Sequence, residues 1–422
     1  MFKSCCAKIK FGYKFGKLGI NVILGTVGLG TRAIIQAVYL FITSRWLGDE
    51  NYGWFAGSVA MVILAAPLAN WGSAYLIPRY IARKRDFSRA IWATALTQTV
   101  LVGSLLTIGV IFFSEIFLKH SLSIVSLLLL AASELIFLPA THAATSQCFA
   151  LEYGRESALS MCLVPIGRML AMIFAIAAGV SATPGHAALT HFLGSIFGLA
   201  VAIILVARID GWPDWRSRLS IRDATRQGAN YAFSNVAGIS YQEVDKMLML
   251  QILGASAVGQ YTVAFRMASV FVLPISALIG AFLTRLMKRY ENQDGSFNHV
   301  YRIMLTAAIL YSILASLCCV LIAPFMPKLF GSSYSQSVDY VLFLAPWPLL
   351  FALRQCLATK MTASNRQNIR SATDLAGFIF VVAFNITLLP IKGVHAAIIS
   401  LLLAEAIVIL FLFFGNKLKS ST

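Results

Sequence analysis

Apolar residues fill the chain in blocks of about 20, broken by short polar stretches in which Lys and Arg recur. A helix of about 20 apolar residues crosses the ~30 Å hydrocarbon core of a bilayer with every backbone N–H and C=O satisfied inside the segment. Twelve spans are predicted, at roughly 19–44, 53–74, 90–113, 122–150, 157–180, 186–207, 228–253, 258–283, 303–326, 337–353, 371–389 and 394–414. The expected fold is an all-α polytopic membrane protein.

The polar stretches orient these spans. With the N-terminus placed in the cytoplasm, the cytoplasmic segments collect 26 Lys and Arg residues. Five lie between Lys3 and Lys17, five between Arg79 and Arg89, and five more between Arg208 and Arg226. The opposite loops hold only Arg45, Lys119, Lys328 and Lys392. Cytoplasmic loops carry the excess of positive charge in multi-pass proteins. Both termini are therefore expected in the cytoplasm, with the chain in the cell's inner (plasma) membrane. No outward loop exceeds about 15 residues, so no folded domain is expected on that side.

Composition adds mainly exclusions. Of 422 residues, 59% are hydrophobic and 12% charged, against about 45–50% and about 25% in soluble domains. That excludes a soluble enzyme, a disordered chain, a secreted disulfide scaffold and a large extramembrane catalytic head. The excess of 34 Lys and Arg over 17 Asp and Glu sits in loops beside apolar runs. It is a topology signal and not a nucleic-acid face, so no nucleic-acid partner is expected. Seven cysteines show no metal or disulfide spacing, and Cys148, Cys162, Cys318, Cys319 and Cys356 read as buried thiols in apolar runs. Cys5 and Cys6 follow no apolar run, so no cleavable leader or lipoprotein site is expected.

The longest polar break, 208–226, falls at mid-chain and invites a search for an internal repeat. A shift of 206 residues pairs Gln36 with Gln242, Leu47 with Leu253, Gly48 with Gly254 and Gly53 with Gly259. It also pairs Met61 with Met267, Arg79 with Arg285 and Arg83 with Arg289, and sets Phe55 opposite Tyr261. Eight identities in 48 positions is a modest signal, but the Gly and Arg positions keep their spacing across two helices. Six spans per half make the repeats parallel, related by an axis along the membrane normal. The expected domains are an N-terminal lobe (1–207), a cytoplasmic linker (208–226) and a C-terminal lobe (227–422). Two such lobes around a central space describe a transporter that rocks between inward-open and outward-open states.

Four basic residues remain after the loops are counted: Arg32, Arg168, Lys246 and Arg266. Glu134, Glu243, Asp245, Asp374 and Glu405 are the acids in or at the edge of spans. A charge at the bilayer centre costs ~2.5–3.5 kcal/mol on insertion scales unless it meets a partner or a wet cavity. One reading is a cationic cavity for an anionic headgroup, with the acids pairing or carrying ions. The other is that these charges neutralise one another across helices. Glu134 and His142 share a span but lie about 80° apart on a straight helix, with Pro139 between them as a source of a kink. The first-half counterparts of Asp245 and Lys246 are Tyr39 and Leu40, so those charges belong to one lobe only. No nucleotide-binding loop, metal-ligand cluster or catalytic triad is evident, so no enzyme, cofactor or metal site is expected.

The segments SRWLGDENYGWFAGSVA (44–60), WGSAYLIPRYIARKR (71–85) and EVDKMLMLQILGASAVGQYTVAFRM (243–267) resemble the polysaccharide-transporter branch of the multidrug/oligosaccharidyl-lipid/polysaccharide (MOP) exporter superfamily. The resemblance extends over essentially the whole chain. It implies two six-helix lobes related by pseudo-two-fold symmetry around a V-shaped cavity. It also implies a flippase that moves undecaprenyl-pyrophosphate-linked O-antigen-type repeat units from the inner to the outer leaflet, coupled to H+ or Na+. Asp245 matches the family's Asp in span 7, and Lys246 stands where Arg is usual. On this reading Arg32, Arg168, Lys246 and Arg266 hold the pyrophosphate, and Glu134, Asp245 or Glu405 carry the coupling ion. Membrane lipids surround the spans, and a glycan polymerase is a candidate partner. The alternatives are a multidrug or small-molecule exporter of the same superfamily, and a membrane-embedded glycan polymerase or glycosyltransferase. Short outward loops argue against the last.

Overall fold

Helix α1 (Lys17–Ala69) carries the first two predicted spans in one 53-residue run. A straight helix of that length would be about 80 Å long, more than twice the hydrocarbon thickness. The run breaks at Gly48, whose φ of 72° and ψ of 174° are open essentially to glycine alone. The computed structural model describes residues 17–117, 122–217, 226, 228, 242–293 and 295–417. After α1 come α2 (Ser73–Arg83), α3 (Ser88–Phe117), α4 (Ile124–Ala150), α5 (Gly154–Ala177) and α6 (Pro184–Asp210). The second half holds α7 (Val244–Ile252), α8 (Ala255–Glu291), α9 (Phe297–Ile322), α10 (Ser337–Leu344), α11 (Trp347–Ala363), α12 (Gln367–Lys392) and α13 (Val394–Lys417).

Among the described residues, nine helices are long and apolar enough to cross a membrane, and the bent pair α10–α11 makes a tenth. The first of these, 24–69, is the one divided at Gly48 and so covers two predicted spans. Half of the seventh predicted span, 228–253, including Asn235, lies outside the described residues, and α7 is its C-terminal part. Cys5, Cys6 and Lys119 also lie outside them. Two boundaries move. The loop predicted after span 2 contains α2, an amphipathic helix that buries Ile77 and Ile81 and exposes Arg79 and Arg83. The predicted tenth span continues through α11 to Ala363, which takes Arg354 out of the loop and into the lobe interior at 3% exposure.

The repeat is visible in the backbone. Gly254, the partner of Gly48 in the 206-residue shift, has φ 88° and ψ 174°, so each half makes the same sharp turn before its second helix. Five residues on, Gly53 and Gly259 lie against each other. A Cβ on Gly53 would sit 1.7 Å from the Ala255 carbonyl oxygen, and one on Gly259 2.0 Å from that of Asp49. The two lobes thus meet backbone to backbone near this end of the molecule, in the manner of small-residue helix contacts in membranes. Side chains reinforce the seam. The Asp49 carboxylate accepts from the Ser256 hydroxyl and from Gln260 Nε2 at 3.4 Å. Tyr334 Oη donates to the Ser44 carbonyl at 3.0 Å, and Arg45 Nη1 to that of Leu329 at 3.0 Å.

Gly53→Ala is expected to force the helices apart and destabilise the protein by about 1–3 kcal/mol, the usual cost of overpacking. Gly109→Ala, where a Cβ meets nothing within 4 Å, is expected to leave stability unchanged. Thermal unfolding of the two purified variants in detergent compares them directly, and equal melting would show that the contact is not tight.

Candidate functional site

Helices α5 and α6 approach closely enough for their backbones to touch. A Cβ on Gly167 would lie 2.2 Å from the Gly194 carbonyl oxygen, and one on Gly198 2.6 Å from Val164 Cα. Gly194 and Gly198 form a G-x-x-x-G pair, so the neighbouring Arg168, His191 and Ser195 face one another across a narrow seam. On α4 the α-helical pattern gives way to a π-turn at Ser133–Phe137. The widened turn re-registers the side chains around it, and such bulges concentrate at functional sites. Glu134 lies in it, 4% exposed.

Glu134 Oε1 receives Arg168 Nη1 at 2.8 Å and His191 Nε2 at 2.8 Å. Arg168 Nε donates to Ser195 Oγ at 2.8 Å, and that hydroxyl donates in turn to the His191 carbonyl at 2.7 Å. Tyr39 Oη lies 3.0 Å from His191 Nδ1, and the Phe55 ring packs on the imidazole with centroids 5.5 Å apart. A neutral imidazole protonated at Nε2 satisfies both partners, donating to Glu134 and accepting from Tyr39. The guanidinium of Arg168 is therefore fixed at two of its three nitrogens. Among the described residues, neither its buried Nη2 nor His142 Nε2 has a hydrogen-bond partner.

These groups border a cavity of about 580 Å³ between the lobes. It reaches from Tyr52 and Phe55 to Asn70 and Gly72, and Arg32, Lys246 and Arg266 line it as well. Arg32 is half-buried, and no carboxylate among the described residues lies within ion-pair distance of it. On the C-terminal side, Glu243 bridges Arg266 at 2.9 Å and Lys246 at 3.2 Å. Lys246 is fully buried. Its Nζ also meets Asp245 at 3.3 Å and the Gln242 carbonyl, and lies 4.2 Å from the centre of the Phe265 ring. Asp245 in turn accepts from the Tyr261 hydroxyl.

The four predicted cations and Glu134 thus come together at one cavity. Asp245 lies behind it, spent on Lys246 and Tyr261. Glu405 lies elsewhere, in the interior of the C-terminal lobe and 0% exposed. There it pairs with Arg354 Nε at 2.6 Å, accepts from Trp347 Nε1 at 3.3 Å, and with Asp374 surrounds Arg354. Glu134 and His142 are not hydrogen-bonded to each other, because Glu134 turns to α5 and α6 instead. The sequence reading missed His191. The available signal was the face 191, 194, 195, 198 on α6, where His and Ser share a stripe with two glycines.

Residues 18–282 match a family model described as polysaccharide biosynthesis protein. No curated protein matches the chain in sequence. Among solved structures, the chain is similar to an inward-facing multidrug resistance MATE family transporter of the MOP superfamily, with a TM-score of 0.76 at 13% identity. That alignment covers 94% of this chain and 98% of the other. An outward-facing MATE family transporter gives a TM-score of 0.68 at 15% identity, covering 95% of each chain. A MOP superfamily transporter from Pyrococcus furiosus, described as having a binding pocket of reverse polarity, gives 0.64 at 15% identity, covering 93% of this chain and 95% of the other. The fold is therefore the two-lobe fold of MOP transporters.

Removing the carboxylate of Glu134 would strand a buried guanidinium, a change that typically costs ~3–5 kcal/mol. Glu134→Ala is expected to lower the melting temperature sharply, and Glu134→Ala combined with Arg168→Met to recover much of it. Additive losses in that double-mutant cycle would show that the pair contributes no coupling.

Proposed function

The chain belongs to the polysaccharide biosynthesis protein family, and from that premise we propose that it is a flippase for a lipid-linked oligosaccharide. The cargo is an undecaprenyl-pyrophosphate-linked repeat unit, moved from the cytoplasmic to the outer leaflet of the inner membrane for an O-antigen-like polymer. A pyrophosphate with several sugars cannot cross ~30 Å of hydrocarbon unaided, because each lost hydrogen bond costs kilocalories. In this reading the lipid tail stays in the bilayer while the headgroup passes through the seam between the lobes.

The observation that carries the proposal is the charge left over at the cavity. Arg266 and Lys246 are answered by Glu243 and Asp245, and Arg168 is half-answered by Glu134. Among the described residues, Arg32 has no carboxylate partner and Arg168 Nη2 no hydrogen-bond partner, which leaves both for an anion. A cavity built for cationic drugs would instead leave carboxylates over. Arg32 and Arg168 hold the pyrophosphate in this scheme, and Arg266 and Lys246 shape the far wall. Of the three carboxylates expected to couple an H+ or Na+ gradient, Glu134 borders the cavity, so the coupling is assigned to it with His191 beside it. The lobes are taken as 1–207 and 227–422 with a cytoplasmic linker at 208–226 and both termini in the cytoplasm. They alternate access by opening the Gly53–Gly259 seam. A glycan polymerase would take the product on the outer face.

Among the described residues Arg32 has no ion pair to lose, so Arg32→Gln tests the anion role with little risk to the fold. Loss of a charge-assisted contact worth ~1.5–3 kcal/mol predicts a drop of about 10- to 100-fold in apparent substrate affinity. Lipid-linked repeat units in sealed cells and inverted vesicles, probed with an impermeant glycan-binding reagent, read the outcome. Deletion of the gene is expected to trap units on the inner face, and Arg32→Gln to restore transport poorly. Normal glycan export with altered resistance to cationic drugs would favour a multidrug exporter. Single units reaching the outer face unpolymerised would favour a polymerase.

A further inference from the structure

A second cavity lies far from the first, at the basic end of the C-terminal lobe where α8 and α11 terminate. It has a volume of about 740 Å³, within the ~300–1,000 Å³ range of small-ligand sites. Among the described residues, Arg289, Lys360 and Arg366 line it with one carboxylate, Glu291, and with Tyr290 and Phe297 at its side. No described carboxylate lies within ion-pair distance of Lys360 or Arg366, and the two cations repel each other. Lys360 Nζ rests 4.9 Å from the centre of the Tyr301 ring, which fixes the ammonium without neutralising it.

The N-terminal lobe supplies the comparison. There α4 ends with Leu151 N bonded to the Gln147 carbonyl, Glu152 N to Phe149 and Tyr153 N to Cys148, and Glu152 has φ 68°. Helix α11 ends in the same turn. Ser364 N bonds to the Lys360 carbonyl, Asn365 N to Thr362 and Arg366 N to Met361, and Asn365 has φ 56°. Lys360 therefore stands where Gln147 does, and Arg366 where Tyr153 does. Gln147 is fully buried and donates from Nε2 to the Ser88 carbonyl at 3.1 Å and to Asp210 at 2.9 Å. Asp210 is the last residue of α6. One lobe closes this turn with an amide and a carboxylate; the other opens it and gathers cations.

Helix C-termini attract cations through their unpaired carbonyls, which offers a simpler reason for Lys and Arg here. At α11 those carbonyls are already taken by the N–H groups of Ser364, Asn365 and Arg366. We propose that this cavity is a binding site for a phosphate group, carried either by an anionic phospholipid headgroup or by soluble phosphate, and distinct from the central cavity. A guanidinium fork and a point-charge ammonium are the usual pair for phosphate. Basic cavities between helices on the cytoplasmic side are placed to take anionic lipid headgroups. The site does not rest on the transport reading, and binding can be measured without flux.

The test uses the purified full-length protein. In phosphatidylcholine nanodiscs doped with phosphatidylglycerol, native mass spectrometry counts the anionic lipids retained per chain. Lys360→Gln places at this turn the residue that the other lobe has there, and Arg366→Gln removes the second cation. Lys392→Gln, at the opposite end, is the control. Loss of two charge-assisted contacts predicts retention at least ~10-fold weaker in the double variant, with Lys360→Gln alone intermediate and the control unchanged. Melting curves in inorganic phosphate form the second arm. Stabilisation of the wild type by millimolar phosphate, absent in the double variant, with equal lipid retention by both, assigns the site to the soluble ion. Lipid retention and phosphate response both equal in wild type and Lys360→Gln overturn the proposal.

Discussion

A charge in the hydrocarbon core must find a partner or water, and that single constraint orders the interior of this protein. In the C-terminal lobe it produces a closed cluster. Arg354 on α11 is held by Glu405 on α13 and Asp374 on α12, so three helices that lipid alone would not hold together are joined by ion pairs. Lys246 is closed in the same way by Glu243, Asp245, the Gln242 carbonyl and the Phe265 ring. Such clusters are strongly destabilised by losing one member, whatever their net contribution. Where pairing among the described residues is incomplete, at Arg32 and at one nitrogen of Arg168, the protein keeps a cavity instead. The candidate site is what that pairing leaves over.

The two halves share a backbone and differ in where they place polarity on it. Gly48 and Gly254 make matching turns, and Gly53 and Gly259 meet across the seam. On that common frame, positions 39 and 55 are Tyr and Phe, while their counterparts 245 and 261 are Asp and Tyr. In the first half the Tyr39 hydroxyl and the Phe55 ring clasp His191. In the second half the pair closes on itself, with the Tyr261 hydroxyl on Asp245. One lobe thus directs its polar groups to a third helix and the cavity, and the other uses them to fasten α7 to α8.

Much of this was legible in the sequence, for physical reasons. Hydropathy reads spans well because lipid forbids unsatisfied backbone, and the repeat was carried by glycines that no other residue could replace at a positive φ or a backbone contact. The four cations and Glu134 were legible as charges that hydrocarbon would not tolerate. Pairing was not legible. Which acid meets which base depends on how helices are rotated about their axes, and a π-turn at Ser133–Phe137 turns Glu134 away from His142 and toward Arg168 and His191. Arg354 was misread as a loop residue because the apolar run fades at Leu353, although α11 continues to Ala363. His191 carries no formal charge and so raised no alarm.

The geometry at Arg168 explains why an arginine suits this place better than a lysine. A guanidinium carries five donors in a rigid plane, and a lysine has one point charge that swings toward whichever acceptor is nearest. Here Nη1 is fixed by Glu134 and Nε by Ser195, itself tied to the His191 carbonyl. The plane is thereby locked, and Nη2 is buried at the cavity wall with no hydrogen-bond partner among the described residues. A ligand oxygen arriving there would meet a donor whose rotamer entropy is already lost, which is the condition under which a single contact contributes most to binding. It would also add to the Glu134 pair without first breaking it. A lysine would have to leave Glu134 to reach the same oxygen, stranding the carboxylate at the cost that buried, unpaired charges carry.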